Sequence, residues 1–299
     1  MIFRMNEARE KGRWQHRPGR QSPWARDENS GGRLWTQLIV LCTLLAILSP
    51  GQAAPGSGLS MVASPRPELT VAYVEFPPLE YMDDAGQPAG EFVDLTRKVA
   101  EEAGLDLKFI YLPISRTYFY LRSGVVDMWM GLTGIPALEG YVLESEVSPL
   151  AATLSVWSMP DTSPVTRYES FQDRILILIS GYTYGGLLYQ LEALDNVSLT
   201  FAPNHLAALR MLERNRGHYL LDYQFPVRET LRQEAFDEVR EQPVRTRYTS
   251  WLFTRQNPNS SALRDAFDQA YRRLVARGDV AAEQDRSQHY VLPGLPLDH

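Results

Sequence analysis

The chain has 299 residues, about two domains' worth by the usual length prior, and a single cysteine, Cys42. One cysteine excludes a disulfide scaffold, so any exported form has to be held by its core alone. The net charge is −6 and the first 33 residues carry +4, which leaves about −10 beyond them and no basic face of the kind nucleic-acid binding requires.

In chain order, residues 1–33 are basic and lack apolar periodicity, and they read as an N-terminal extension. Residues 34–50, LWTQLIVLCTLLAILSP, carry no charge, and the small residues Gly51, Ala53 and Ala54 follow. A basic flank, an apolar core of roughly 15 residues and a small-residue exit predict a secretory signal over 34–54, cleaved near Ala53 or Ala54. A bilayer span needs about 20 apolar residues, so the run is short for a permanent anchor, and retention as an anchor is the alternative. Leu41 precedes Cys42 where lipoprotein acylation would need a small residue. Residues 55–68 are rich in Gly, Pro and Ser and read as a linker. The remaining exported body is long enough to bury a sizeable core without cross-links.

The fold is expected to begin with a strand over 69–74, followed by the loop Phe76-Pro77-Pro78-Leu79 and the turn Asp83-Asp84-Ala85-Gly86. The two acids sit before Ala-Gly, which makes them turn formers rather than paired catalytic carboxylates. A helix follows, with Phe92, Leu95, Val99 and Ala103 on one stripe and Gly104 at its C-terminal exit. Then come a strand over 105–113, a helix over 115–124 ended by Gly124, and a strand over 125–134. This alternation predicts an α/β fold with parallel pairing.

The alternation repeats with strands over 153–159, 174–180, 197–202 and 218–223. One helix follows the GYTYGG segment, and another, HLAALRMLERNRG, is read as ending at Gly217. A strand over 250–255 precedes a last helix whose stripe is Leu263, Ala266, Phe267, Ala270, Tyr271, Leu274 and Val275. Two lobes are expected, 68–152 plus 251–292 and 153–250, with a cleft between them of the kind that favours small-molecule binding.

Two residues stand out chemically. Thr183, in Gly181-Tyr182-Thr183-Tyr184-Gly185, sits between a buried strand and a helix, where an N-cap doubles as an anion site or is simply a cap. Asp222 closes the apolar strand HYLLDY, and a carboxylate there is costly unless it is paired. Other chemistries find little support. The five histidines have no metal-ligand spacing, no cysteine set is present, and neither a phosphate loop nor a Gly-x-Ser-x-Gly elbow occurs; no cofactor or metal is expected.

Three groups of residues carry a resemblance over roughly residues 68–290. They are Phe76-Pro77-Pro78-Leu79 with Asp83 to Gly86, then Gly90-Glu91-Phe92-Val93-Asp94-Leu95, then Leu121 to Asp127 and Ser148-Pro149. Their order and spacing resemble the extracellular solute-binding proteins of family 3, the polar amino-acid-type receptors of ABC importers. The resemblance implies a two-lobed periplasmic-binding-protein fold (type II), with two small mixed sheets flanked by helices. Two crossover strands, near 150–157 and 248–255, would join them and close on a ligand like a hinge.

It further implies that Phe76 stacks on the ligand, that Thr183 and its amides hold a carboxylate, and that Asp222 pairs with an ammonium. Glu75, Tyr81, Thr133 and Tyr182 complete the candidate binding set. One departure stands against the pattern: the arginine that forks the ligand carboxylate falls at or beside Glu139, and GLTGIPALEGY (131–141) holds no arginine. Arg116 either replaces it or is a solvated helix residue.

The implied function is non-catalytic capture of a small polar solute outside the cytoplasm, by a monomer that delivers it to an ABC permease. Two alternatives remain. One is a dehydratase of the cyclohexadienyl type on the same fold, with Glu75, Glu139 or Asp222 as general acid; the other is a sensor lobe for a membrane signalling partner.

Overall fold

The computed structural model of the protein describes residues 66–287 and 289–296. The N-terminal extension, the secretion signal and nearly all of the linker expected over 1–68 lie outside them.

The first strand, β1 (Glu68–Tyr73), buries Val71, Ala72 and Tyr73. A two-residue hairpin of β2 (Tyr81–Met82) and β3 (Pro88–Ala89) follows, turned at Gly86, where Asp83 Oδ1 accepts the amides of Ala85 and Gln87. Helix α1 (Glu91–Ala103) leads to β4 (Asp106–Tyr111), α2 (Ile114–Ser123) and β5 (Met128–Leu132). Gly104 and Gly124 close the two helices in left-handed conformation, φ 73° and 72°, and their amides return to carbonyls of the preceding turn. Next come β6 (Val142–Glu144), β7 (Ala151–Ser158), β8 (Ile175–Ile179), the one-and-a-half-turn α3 (Leu187–Glu192) and β9 (Ser198–Ala202). The chain ends with α4 (His205–Glu213), β10 (Tyr219–Tyr223), α5 (Gln224–Gln233), β11 (Arg240–Thr254) and α6 (Ser260–Arg277).

The strands follow the order β4-β1-β5-β11-β7-β10-β8-β9, with β6 paired to β11. β1 runs parallel to β4 and β5, and β8 runs parallel to β9 and β10. Between these parallel groups lie antiparallel strands, and β11 belongs to both groups. Its residues 249–254 pair with β5 and β6, while 240–248 pair with β7. The fold is thus the two-lobed mixed α/β type expected, with the two sets of strands continuous through β11. The final strand expected over 250–255 extends back to Arg240. Pro243 lacks a ladder donor, and the register slips between Pro243 and Arg245.

Three local differences have physical causes. α1 buries Phe92, Val93, Thr96, Val99 and Ala100, a stripe rotated from the expected one; Leu95 and Ala103 sit at its margin. Thr96 tolerates the core because its hydroxyl donates to Phe92 O and accepts from Trp251 Nε1 at 2.8 Å. α4 stops at Glu213, not at Gly217, because Asn215 takes the left-handed step at φ 52°. Gly217 serves packing instead, since a Cβ there would lie 2.6 Å from Ile177 Cγ1. Helix α5 has no counterpart in the expected elements; it tolerates Pro226 because at the third helical position the missing N–H would have been unpaired anyway.

The core has two parts. The larger joins α1, α2 and α6 to the sheet, with Trp251 at its centre against Phe92, Phe267 and Tyr271. The smaller lies under α4 and α5, where Trp157, Ile177, Leu209 and Leu220 pack. β10 therefore buries both faces, Leu221 into one core and Leu220 into the other, as parallel sheets covered on both sides do.

Candidate functional site

The loop after β1 is set by short backbone bonds. Phe76 N donates to Glu80 O at 2.8 Å, and the amides of Leu79 and Glu80 return to Phe76 O; the Pro77–Pro78 peptide is cis. Gly90 at φ 119° lets α1 start directly beneath this loop, because a Cβ there would fall 2.3 Å from Leu79 O. Glu91 and Phe92 then donate their amides to Pro78 O and Leu79 O.

These bonds form one wall of a cavity of about 50 Å³, a space for only a few heavy atoms. Phe76, Leu79 and Glu80 come from the loop, Tyr118 from α2, and Trp129 to Leu132 from β5. Across from them stand Tyr182, Thr183 and Tyr184, from the segment after β8, and Tyr223 at the end of β10. The rings are in mutual contact: Phe76 meets Tyr223 edge-on at 5.3 Å between centroids, Tyr118 meets Trp129 at 5.6 Å, and Tyr182 meets Tyr184 at 5.8 Å. Gly131 leaves room for the Trp129 ring, which lies 2.5 Å from where a Cβ would stand.

One carboxyl lies in this aromatic enclosure. Glu80 is 4% exposed, and its Oε2 receives the Val74 amide at 3.4 Å. Burial pushes its pKa well above the usual carboxylate range, against weaker opposing effects of the Val74 amide and the Trp129 indole. That indole N–H faces Glu80 without closing a hydrogen bond of good geometry. Thr183 Oγ1 is also buried, and the Tyr118 phenol is its hydrogen-bonding neighbour, though without a bond of good geometry.

Of the eight expected site residues, Phe76, Tyr182 and Thr183 come together here. Thr183 does so differently from expectation. Its side chain caps no helix amide; its carbonyl accepts Gly186 N at 2.9 Å instead. Gly185 and Gly186, at φ 67° and 91°, take left-handed steps, so α3 begins only at Leu187.

Asp222 lies outside the cavity lining. It is fully buried, with Oδ2 2.7 Å from His205 Nδ1 and Oδ1 accepting the Tyr223 amide at 2.7 Å. The partner its burial demands is therefore within the protein. Burial alone would lower the His205 pKa, but the charge and hydrogen bond of Asp222, with help from the Glu75 backbone and charge, leave it raised.

Glu75 and Arg116 are exposed and Tyr81 is half-buried on β2, all three off the cavity. Thr133 also lies off it: its amide and hydroxyl both donate to Tyr248 O, at 2.9 and 3.3 Å. Glu139 is exposed beside a surface groove rather than facing the cavity.

The sequence reasoning missed Glu80, Tyr118, Trp129, Tyr223 and a buried guanidinium, Arg247 on β11. Arg247 donates to the carbonyls of Thr133 and Gly134 and fills the space above Gly185, where a Cβ would overlap its Nη1 at 1.2 Å. Its charge reaches Tyr118 and Tyr223, but it does not line the cavity. The available hint was Arg245 and Arg247 two apart on one strand face, both 3% exposed. Among the described residues no group of His, Cys, Asp or Glu is disposed to hold a metal, and no helix is long and apolar enough to cross a membrane.

The model of the bacterial extracellular solute-binding proteins, family 3, matches residues 69–287. An amino-acid-binding protein, AabA of Dichelobacter nodosus, is 38% identical over 64 residues, which is 21% of this chain and 25% of that relative. Among solved structures, a histidine kinase sensor domain with similarity to periplasmic binding proteins aligns with a TM-score of 0.61 at 21% identity, covering 72% of this chain and 92% of that one. An ancestral arginine-binding protein bound to arginine aligns at 0.60 and 18% identity, covering 71% and 94%. A substrate-binding protein of an ABC uptake transporter from Streptococcus pneumoniae, with bound histidine, aligns at 0.60 and 17%, covering 71% and 88%. At these identities the structural likenesses speak for the fold.

Proposed function

The chain belongs to the bacterial extracellular solute-binding proteins, family 3, and from that premise we propose that it captures a small polar solute and hands it to the permease of an ABC-type importer, without turning it over. The observation that carries this is the aromatic-lined cavity, to which Phe76 and Trp129 contribute from one set of strands and Tyr182, Thr183 and Tyr223 from the other. Because both sets of strands line it, moving them apart and together would admit a ligand and hold it, which suits delivery by hinge closure. On this proposal the lobes are 68–152 plus 251–292 and 153–250, and the apolar run 34–50 behind its basic flank takes the protein to the periplasm.

The three acids expected for an enzymatic reading stand away from the cavity. Glu75 and Glu139 are exposed off the cavity, and Asp222 is paired with His205. A second reading, a sensor lobe that reports the same solute to a membrane signalling partner, is favoured by the alignment over 92% of a histidine kinase sensor domain.

A thermal-shift screen over amino acids, polyamines, organic acids and short peptides tests solute capture. A ligand at a hundred times its Kd adds about 2.7 kcal/mol to the native state, or roughly 5–11 °C for a domain of this size. A panel in which no compound moves Tm would refute the proposal.

A further inference from the structure

The backbone bonds between Phe76 and Glu80 close the loop, and Glu80 lines the cavity, its Oε2 accepting the Val74 amide at 3.4 Å. No Lys, Arg or His forms an ion pair with it among the described residues, and none lines the cavity. A carboxyl so enclosed avoids the cost of its charge by keeping its proton, or ionises when a cation meets it, and here that cation would arrive with the ligand.

The walls suit such a cation. Phe76, Tyr118, Trp129, Tyr182, Tyr184 and Tyr223 surround the space, and aromatic faces attract ammonium groups through the ring quadrupole. Thr183 Oγ1, buried beside the Tyr118 phenol, keeps acceptor capacity for an ammonium N–H. A ligand carboxylate fares poorly in the same space. It would meet the acidic Glu80, Arg247 points Nη2 at the carbonyls of Thr133 and Gly134 and does not line the cavity, and the place where an arginine was expected holds the exposed Glu139. The cavity also limits size to a few heavy atoms.

Resting on the solute-capture reading of this cavity, we infer that its ligand is a compact organic cation, an alkylammonium or methylated ammonium ion without a carboxylate, held by Glu80 inside the aromatic walls.

A matched series separates the charge classes on the wild-type protein: isobutylamine, valine and isobutyrate share one branched apolar group and differ in charge, and tetramethylammonium adds a cation without N–H. Calorimetric titration and thermal shift should show binding of isobutylamine and tetramethylammonium, with valine and isobutyrate inert. Glu80→Gln, which keeps shape and removes the charge, should weaken both cations by about tenfold or more. Valine or isobutyrate binding more tightly than isobutylamine overturns the inference, as does cation affinity unchanged in Glu80→Gln. Binding of some other, non-cationic solute from the broad screen sinks the cation assignment while leaving solute capture standing. Silence across the broad screen sinks solute capture itself.

Discussion

Asp222→Asn tests the assignment of Asp222 to a buried pair rather than to the ligand. The carboxylate is fully buried and 2.7 Å from the Nδ1 of His205, which is itself 7% exposed. A hydrogen bond to a charged group contributes about 1.5–3 kcal/mol, and losing one member of a buried ion pair costs about 3–5 kcal/mol. The amide keeps one neutral hydrogen bond and His205 can shed its proton, so a loss of about 2–3 kcal/mol is expected, or roughly 4–12 °C in Tm. The pH dependence follows from the raised pKa of His205 in the folded state. Stability from a raised histidine is fully present below the unfolded pKa of about 6.5 and is lost as pH rises through the higher folded value. The deficit of the variant should therefore be largest at pH 5.5 and narrow by pH 9, as read from melts followed by circular dichroism at pH 5.5, 7 and 9. A variant that melts with the wild type at pH 5.5 would refute the reasoning, as would a deficit that does not narrow. Loss of ligand binding at unchanged Tm would return Asp222 to the role of ammonium partner.

Three further outcomes are expected. Gly185→Ala and Gly278→Ala both place a side chain at a left-handed φ, 67° and 78°, which costs about 1–2 kcal/mol; only Gly185 also drives a Cβ into Arg247, so its melting point should fall further by several degrees, and equal losses would contradict the packing described. Glu80 binds its proton more tightly in the folded state, so wild-type stability falls as pH rises from about 4.5 through the raised value; unliganded Glu80→Gln should melt above wild type at pH 8, the gap closing toward pH 4.5, and a lower Tm at pH 8 would refute the burial argument. Glu102 bonds to Arg277 and Arg273 on the surface, which lowers its pKa to about 2; carboxyl titration by NMR should show that midpoint, moving upward in Arg277→Gln and with added salt, and a midpoint near 4.5 would mean the three side chains do not associate in solution.

The parts of this fold that local chemistry decides were legible in the sequence. Gly104 and Gly124 end helices because each takes a left-handed φ at the exit, and the apolar runs 69–74 and 174–180 could bury themselves only as strands. Phe76 could be singled out because Pro77 and Pro78 restrict the loop that holds it. What the sequence hid depends on partners distant in the chain. The cost of burying Asp222 announces that a partner exists but not which one, and His205 lies 17 residues away on the first turn of α4. Glu80 looks like one more acid in an acid-rich turn until Gly90 tucks α1 beneath the loop and closes water away from it. Arg247 stands in REQPVRTRYT, which reads as a polar connection because it pairs with β7 only over a stretch broken by Pro243. Glu139 shows the same limit from the other side: spacing along the chain carried a position across from the family pattern but not the direction in which the side chain points. With Glu139 at the surface and Arg247 off the cavity lining, the ionisable group that lines the cavity is the acid Glu80, where the family pattern led us to expect an arginine.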